Sequence, residues 1–266
     1  MGAGGRRFVS CHLDLRLESL FIEAFLFLIY YMLTHFKFKE LGNHNYGWLN
    51  ARYHFNFANY YNPKIKPKKP LVVWNDDTIK PKTGFPMHSH QNMEIITYIR
   101  QGSITHKDNI GNSGEIKSGQ IQVMSAGSGI THSEYNLSNE ETLLFQIWIE
   151  PNQLDIKPRW KNIDLKNESE ESIKVLASGE KKYKNSDILK IYQDASVIRI
   201  NGSQGLLNYK LSKNRHVYFV LSKGRLFLDK TEINERDGVY INGLNEINFD
   251  FKKTTELILV DMPINN

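Results

Sequence analysis

The sequence predicts an all-β protein built from two antiparallel β-sandwich or barrel domains. Three observations carry this. From about Leu71 onward, short apolar runs of strand length alternate with turn signals at close intervals, the spacing of sandwiches and barrels. No long segment shows the 3.6-residue apolar period of a helix. Finally, one stretch repeats with its glycines in phase. TYIRQGSITHKD at 97–108 lies over FVLSKGRLFLDK at 219–230, and KSGQIQV lies over RDGVYIN, which puts Gly102 over Gly224 and Gly119 over Gly238. Two copies of one β-unit leave such a trace.

The 266 residues, 40% hydrophobic and 24% charged, suffice for two ordinary domains. The single cysteine, Cys11, excludes an internal disulfide framework and suits a reducing compartment, so a cytoplasmic location is expected. A net charge of +5 is mild, and the lysines are scattered except for a short run at Lys64 to Lys69. A nucleic-acid face needs a basic stripe with interleaved aromatics, and none is evident. The apolar run Leu20–Leu33 falls short of the ~20 residues that a membrane span needs, and Glu23 interrupts it. Asp14, Glu18 and the missing small-x-small cleavage site argue against a signal peptide. Residues 1–31 are therefore read as an extension outside the fold, with Met32 as the true start. The domains expected are 32–155 and 186–266, with 156–185 connecting them.

From His35 to Pro70 the chain is rich in Asn, Tyr, Phe and Trp with little periodicity, which reads as short edge strands and loops whose aromatics plug one barrel mouth. His44 and His54 are read there as packing or hydrogen-bonded histidines. LVVWNDD at 71–77 is a strand ending in polar residues. Asn75, Asp76 and Asp77 could line a site, but bonding loop backbone is the commoner work of such residues. Proline and glycine between Pro81 and Pro86 then lead into the next strand. Further strands are expected at Glu94–Arg100, Ser103–Lys107, Glu115–Lys117, Gln120–Ser125, His132–Tyr135 and Leu143–Glu150. The polar stretch 152–186 carries at most one, Ile173–Ala177.

Four side chains point to a metal. His88 and His90, and 42 residues on His132 and Glu134, stand two apart, and residues two apart on a strand share one face. Two adjacent strands would offer four donors with coordination positions left open. Nitrogen donors with one carboxylate suit Fe(II) first, and Mn, Co, Ni, Cu or Zn as well. The bland alternative is a set of surface histidines on half-buried strands. Carried across by the in-phase glycines, the ligand positions become Lys210, Ser212, Phe251 and Lys253 in the second copy, so the metal site is expected in the first domain alone.

The pattern G-x3-H-x-H-x3-E-x7-G followed by G-x12-H-x3-N resembles the two motifs of the cupin superfamily. Within that superfamily, the run from Thr97 to Asn136, with HSEYN at 132–136, resembles the pirin family and its bacterial quercetinase-like members. The likeness extends upstream through HNYGWLNARYHFNFANYYNP and downstream through LFQIWIEP and IYQDA. It implies a bicupin of two jelly-roll domains with the metal in the N-terminal one. The family pattern assigns the fourth ligand to Glu134. Glu94, where most cupins place their carboxylate, is then expected to orient a histidine from outside the ligand set or to be an ordinary exposed strand residue. His106 in SITHKD could face the same cavity, and is read first as a histidine bonded within a turn.

The resemblance further implies a dioxygenase of the quercetin 2,3-dioxygenase type that opens a small phenolic, flavonol-like substrate with O2. Glu134 would take the 3-hydroxyl proton, and His88, His90 and His132 would hold the metal. A different class stands beside it, an iron-binding, redox-sensing regulator of the pirin kind that acts through a protein partner.

Overall fold

The structure, a computed structural model, describes residues 33–165 and 172–264. The extension 1–31 lies outside the described residues. The N-terminal half comprises β1 (Leu33–Phe36), β2 (Gly42–Asn45), β3 (Leu49–Tyr53), β4 (Leu71–Ile79), β5 (Thr83–His90), β6 (Glu94–Gln101), β7 (Ser103–Asp108), β8 (Ser113–Lys117), β9 (Gln120–Ser125), β10 (Ile130–Asn136) and β11 (Thr142–Ile149). The connection carries β12 (Arg159–Asp164) and β13 (Ser172–Ser178). The C-terminal half continues with β14 (Leu189–Lys190), β15 (Ser196–Gly202), β16 (Gly205–Lys210), β17 (Arg215–Lys223), β18 (Arg225–Leu228), β19 (Thr231–Asn234), β20 (Gly238–Asn242), β21 (Glu246–Phe251) and β22 (Thr255–Pro263). Helix is confined to two single 3₁₀ turns among the described residues.

Each half is a sandwich of a seven-stranded and a four-stranded sheet, with no sheet closed into a barrel. The large sheets run β12-β9-β6-β11-β4-β3-β2 and β1-β20-β17-β22-β15-β13-β14, and the small ones β5-β10-β7-β8 and β16-β21-β18-β19. The two halves match through the five inner strands of each large sheet and all four of each small one, as the in-phase glycines predict. Gly102 and Gly224 both sit in the left-handed region, at φ +75° and +91°. A Cβ on either would meet a threonine hydroxyl, that of Thr142 at 2.8 Å or that of Thr255 at 2.5 Å.

Both outer edges differ: β2 precedes β3 and pairs with it antiparallel, whereas β14 follows β13 and pairs with it parallel. The edge strand beside β9 is β12, from the connection, whereas the edge strand beside β20 is β1, from the chain's start. His35 Nε2 of β1 lies 2.9 Å from Asp237 of the C-terminal half. The connection thus holds more than the single strand expected of it. Its polar residues in β12 fit an edge position, where one strand flank meets solvent.

The two large sheets face each other across a shared core, in which Trp74, Ile96, Tyr98 and Phe145 meet Val197, Tyr218, Val220 and Ile258. Alternation along each strand settles which residues enter it. In β6, Ile96 and Tyr98 point to the shared core, while Ile95, Thr97 and Ile99 point into the N-terminal sandwich. The interior of the C-terminal sandwich is one apolar cluster including Phe219, Ile241, Phe249 and Phe251. The interior of the N-terminal sandwich is split into two clusters, one around Ile99, Ile104 and Leu144 and the other around Ile95, Met124 and Ile130.

Candidate metal centre

The polar residues between those two clusters form the site. Strands β5 and β10 pair antiparallel, so that His132 lies opposite His88 and Ile130 opposite His90. A register shift follows, after which Glu134 faces Phe85. The close approach of β5 to β10 requires glycine at 84, where a Cβ would come within 2.2 Å of the Glu134 carbonyl.

The three imidazoles converge. Ring centroids are 4.8 Å apart for His88 and His90, 4.5 Å for His88 and His132, and 5.1 Å for His90 and His132. One nitrogen from each lies within 4.8 Å of the others. His88 Nδ1 is 2.7 Å from the Pro86 carbonyl. A carbonyl only accepts, so Nδ1 carries the proton and Nε2 keeps its lone pair. His90 Nε2 and His132 Nε2 are buried with no hydrogen-bond partner among the described residues. Burial, then the neighbouring imidazoles, push His90 down to about 4 and His132 down to about 3. These two rings are therefore neutral at physiological pH, the form that binds metal. Orphaned, neutral, converging imidazole nitrogens fit a divalent transition ion.

The tautomer of His132 is set from behind. Asp108 accepts hydrogen bonds from the Ile110 and Asn112 amides and from the Asn112 side chain. Against burial, the bonds from Asn112 and His106 hold its carboxyl below the usual range. His106 Nε2 lies 3.1 Å from Asp108 Oδ2, and His106 Nδ1 lies 3.4 Å from His132 Nδ1. The carboxylate fixes the His106 proton on Nε2, so His106 Nδ1 accepts from His132 and turns His132 Nε2 toward the other two rings. His106 belongs by distance to a second donor group with His132 and Glu134. Both its nitrogens are occupied, and it has none left for a metal. It is a buried strand residue stacked on Trp160 at 7°, where a turn histidine was the first expectation.

Glu134 is held by three donors from three strands. Gln122 Nε2 lies 2.6 Å and Thr97 Oγ1 3.3 Å from Oε1, and Gln146 Nε2 lies 2.9 Å from Oε2. Trp160 and Trp148 donate to the two glutamine oxygens, at 2.6 and 3.0 Å, which fixes each amide's orientation. The structure thus brings His88, His90 and His132 together, and places Glu134 in a group with His132 but not with the other two.

Glu94 departs from both expectations. It is 1% exposed, yet it stands an odd number of residues from Thr97, on the face turned away from the histidines. Its Oε2 accepts from Ser125 at 2.7 Å. Burial raises its carboxyl to about 7, against the hydrogen bond from Ser125 and the charge of Arg159. Asn75, Asp76 and Asp77 lie within β4 and not in a loop. Asp76 points to the other half and bridges Arg100 and Arg236 at 2.6 and 2.5 Å. His54 is buried against the hydroxyl of Tyr218 at 2.7 Å, as a packing histidine should be. The carried-over positions Lys210, Ser212 and Lys253 are exposed and Phe251 is buried in the core. Among the described residues, both donor groups lie in the N-terminal half.

Above the histidines opens a cleft of about 160 Å³. It is lined by Leu49, Ala51, Tyr53, Phe57, Phe85 and Trp148, and by the polar side chains of Asn75, Asp77, Gln146, His88 and His90. A cavity of ~150 Å³ holds one benzene. A larger cleft, about 880 Å³, lies along the connecting segment. Three of its cations are engaged, Arg159 with Ser125 and the Lys190 carbonyl, Lys182 with Glu180, and Lys190 with the Tyr183 and Ser186 carbonyls, and Lys181 and Lys184 line it as well.

Comparison with known proteins agrees with this geometry. Residues 33–149 match the Pirin family and residues 175–262 match the quercetinase C-terminal cupin domain. A protein of Zymomonas mobilis named putative quercetin 2,3-dioxygenase is 42% identical over 86% of this chain and 97% of its own length. The quercetin 2,3-dioxygenase of Escherichia coli is 34% identical over 85% of this chain and 97% of its own. The crystal structure of a bacterial pirin from Escherichia coli in complex with nickel(II) superposes with a TM-score of 0.81, at 33% identity, over 87% of this chain and 99% of that one. No helix of the described residues is long and apolar enough to cross a membrane.

Proposed function

Because this chain belongs to the pirin family and matches its two cupin domains, we propose that it is a metal-dependent dioxygenase of the quercetin 2,3-dioxygenase type. The observation that carries the proposal is the pair of buried, partnerless imidazole nitrogens, His90 Nε2 and His132 Nε2, beside an aromatic-lined cleft that His88 and His90 enter. His88, His90 and His132 would hold one divalent ion, Fe(II) first by donor chemistry, with nickel(II) known in a relative. When bound, the ion supplies a Lewis acid that polarises the substrate oxygens and a centre at which O2 can react.

The protein's own residues do the rest. Phe57, Phe85 and Trp148 enclose an aromatic ring and keep water from it. Glu134 takes the proton of the flavonol 3-hydroxyl. A carboxylate has about four lone-pair sites, so the three donors on Glu134 leave about one for a metal ion or a proton. Thr97, Gln122 and Gln146 hold that carboxylate still, so it needs no reorientation when the proton moves. The single cysteine suits a reducing compartment, and we place the protein in the cytoplasm.

The test is O2 uptake with quercetin by protein loaded in turn with Fe, Mn, Co, Ni and Cu. Glu134→Gln should lower the rate by the ~10²–10⁴-fold expected for a lost general base, with metal retained. An intact rate in that variant would move the base elsewhere. The regulatory reading keeps one observation in its favour, because a cleft of about 160 Å³ encloses one ring and not a whole flavonol. Absence of turnover with every metal would favour it.

A further inference from the structure

One side chain of the connecting segment touches both supports of the site. Trp160 stands on β12, the edge strand beside β9. Its Nε1–H donates to Gln122 Oε1 at 2.6 Å, and Gln122 Nε2 in turn donates to Glu134. Its ring lies on the His106 imidazole, with centroids 4.8 Å apart and planes 7° from parallel. His106 Nδ1 is the acceptor that faces His132. The indole is thus one residue removed from the carboxylate and one from the converging histidines. It also packs against both of the apolar clusters that the polar residues divide.

The fold leaves a slot for this ring. Gly114 of β8 pairs with His106 across the sheet, and a Cβ there would come within 2.6 Å of the indole Cη2. Gly114 is not among the glycines with positive φ, so space and not backbone conformation calls for glycine. Arg159, the preceding residue, fastens the strand. It donates to Ser125 at 3.1 Å and to the Lys190 carbonyl at 2.5 Å, and it lies over the Tyr192 ring.

Neither support can hold its own direction. The terminal torsions of glutamine and histidine are broad and roughly two-fold, so the Gln122 amide and the His106 ring each need an outside stop. A donor on the amide oxygen decides which end of the amide points at the carboxylate. A stacked ring keeps an imidazole from turning. Trp160 supplies both.

We infer that Trp160 is a positioning residue of the proposed metal centre, holding the Glu134 carboxylate through Gln122 and the His132 ring through His106. The inference rests on the proposed metal reading of the site and deepens it, because the connecting segment then completes the centre.

The experiment uses the full chain with nickel(II) as the probe. Affinity is read by chelator competition, and the His132 tautomer by the metal-free imidazole ¹⁵N spectrum. Trp160→Leu removes both contacts. Nickel affinity should weaken by the ~10–100-fold typical of losing support behind a ligand, and His132 should show two tautomers where the wild type shows one. Trp160→Phe keeps a ring on His106 and loses the N–H. It should keep the single tautomer and still bind nickel more weakly, and that weakening should vanish in a Gln122→Met background, where the amide is already gone. A residue that merely packs would cost the same in both backgrounds, and that result overturns the inference. Wild-type affinity with one tautomer in Trp160→Leu overturns it too. Should Trp160→Leu fail to fold, Gly114→Ala decides, since it displaces the indole without removing it and should give the same two changes. If the wild type binds no nickel, the metal reading fails and the ¹⁵N comparison decides. Failure of the dioxygenase reading is separate: no flavonol consumes O2 under any metal, while the nickel and ¹⁵N changes remain.

Discussion

The two halves of this protein share one topology and fill it in opposite ways. In the C-terminal sandwich Phe219, Ile241, Phe249 and Phe251 close a single apolar core, with the Phe219 and Phe249 rings edge-to-face at 5.4 Å. By the in-phase glycines, Phe219 stands where the N-terminal half has Thr97, and Ile241 where it has Gln122. Those two polar residues hold Glu134, and the polar cluster they belong to divides the apolar interior in two. The frame of strands therefore does not dictate what it encloses. One copy uses its interior for cohesion. The other gives up cohesion for a set of unpaired nitrogens that a metal can complete, and each such group costs ~1–3 kcal/mol until it is met.

The sharpest way to break this contrast is to remove the shared histidine. His132→Ala should bring metal content from one ion per chain to none, as measured by elemental analysis of protein purified without added metal. Two ions in the wild type, or an unchanged content in the variant, would overturn the assignment. The converse change belongs to the other half. Phe249→Ala should cost the ~3–5 kcal/mol of an emptied aromatic core site in denaturant unfolding and leave metal content alone.

A third test uses Glu94, which is buried outside the site. Its folded-state carboxyl titrates at about 7, above the ordinary value of 4.5. A raised value means that the protonated form is favoured in the fold. The wild type should therefore lose stability as pH rises from about 4.5 to 7, by up to about 3 kcal/mol. Glu94→Gln should remove that loss, so that the two proteins match below pH 4.5 and the variant is the more stable at pH 8. Its flavonol turnover should equal that of the wild type, since the side chain faces away from the histidines. The smallest effect is expected of Asp108→Asn, which frees the His106 tautomer. Metal affinity by chelator competition should weaken ~10–100-fold, and the metal-free imidazole ¹⁵N spectrum should show His132 shifting between tautomers.

The strand pattern and the three histidines were legible because both follow from the two-residue period of a strand. The carboxylate's support was not, since Thr97, Gln122 and Gln146 come from three strands and form no motif. A signal existed. Thr97 within EIITYI and Gln122 within IQVM are polar residues in runs that are otherwise apolar, and a polar residue at an inward position asks for a partner. The same phase places Glu94 outward, three residues from Thr97. The family pattern drew attention to Glu94 as a carboxylate near the metal, and the geometry of β6 answers otherwise. Asp108 was hidden for another reason, and His106, named as one that could face the cavity, was read first as a turn histidine. Asp108 closes the 108–112 turn two residues after His106, and only the pairing of β7 with β10 brings His106 against His132 with Asp108 behind it.

The exchanged edge strand has a consequence for how the chain is made. A ribosome releases β1 first among the described strands, yet its partner β20 follows about two hundred residues later, with His35 and Asp237 separated by 202 positions. The sandwich with the three histidines draws its strands from β2 through β12 and can assemble while the rest is still being translated, since domains fold as units in the order of synthesis. β1 must wait, an unpaired strand edge available for mispairing throughout that interval. Its docking beside β20 joins residues 33–36 to the second half only in a molecule whose second half has been made.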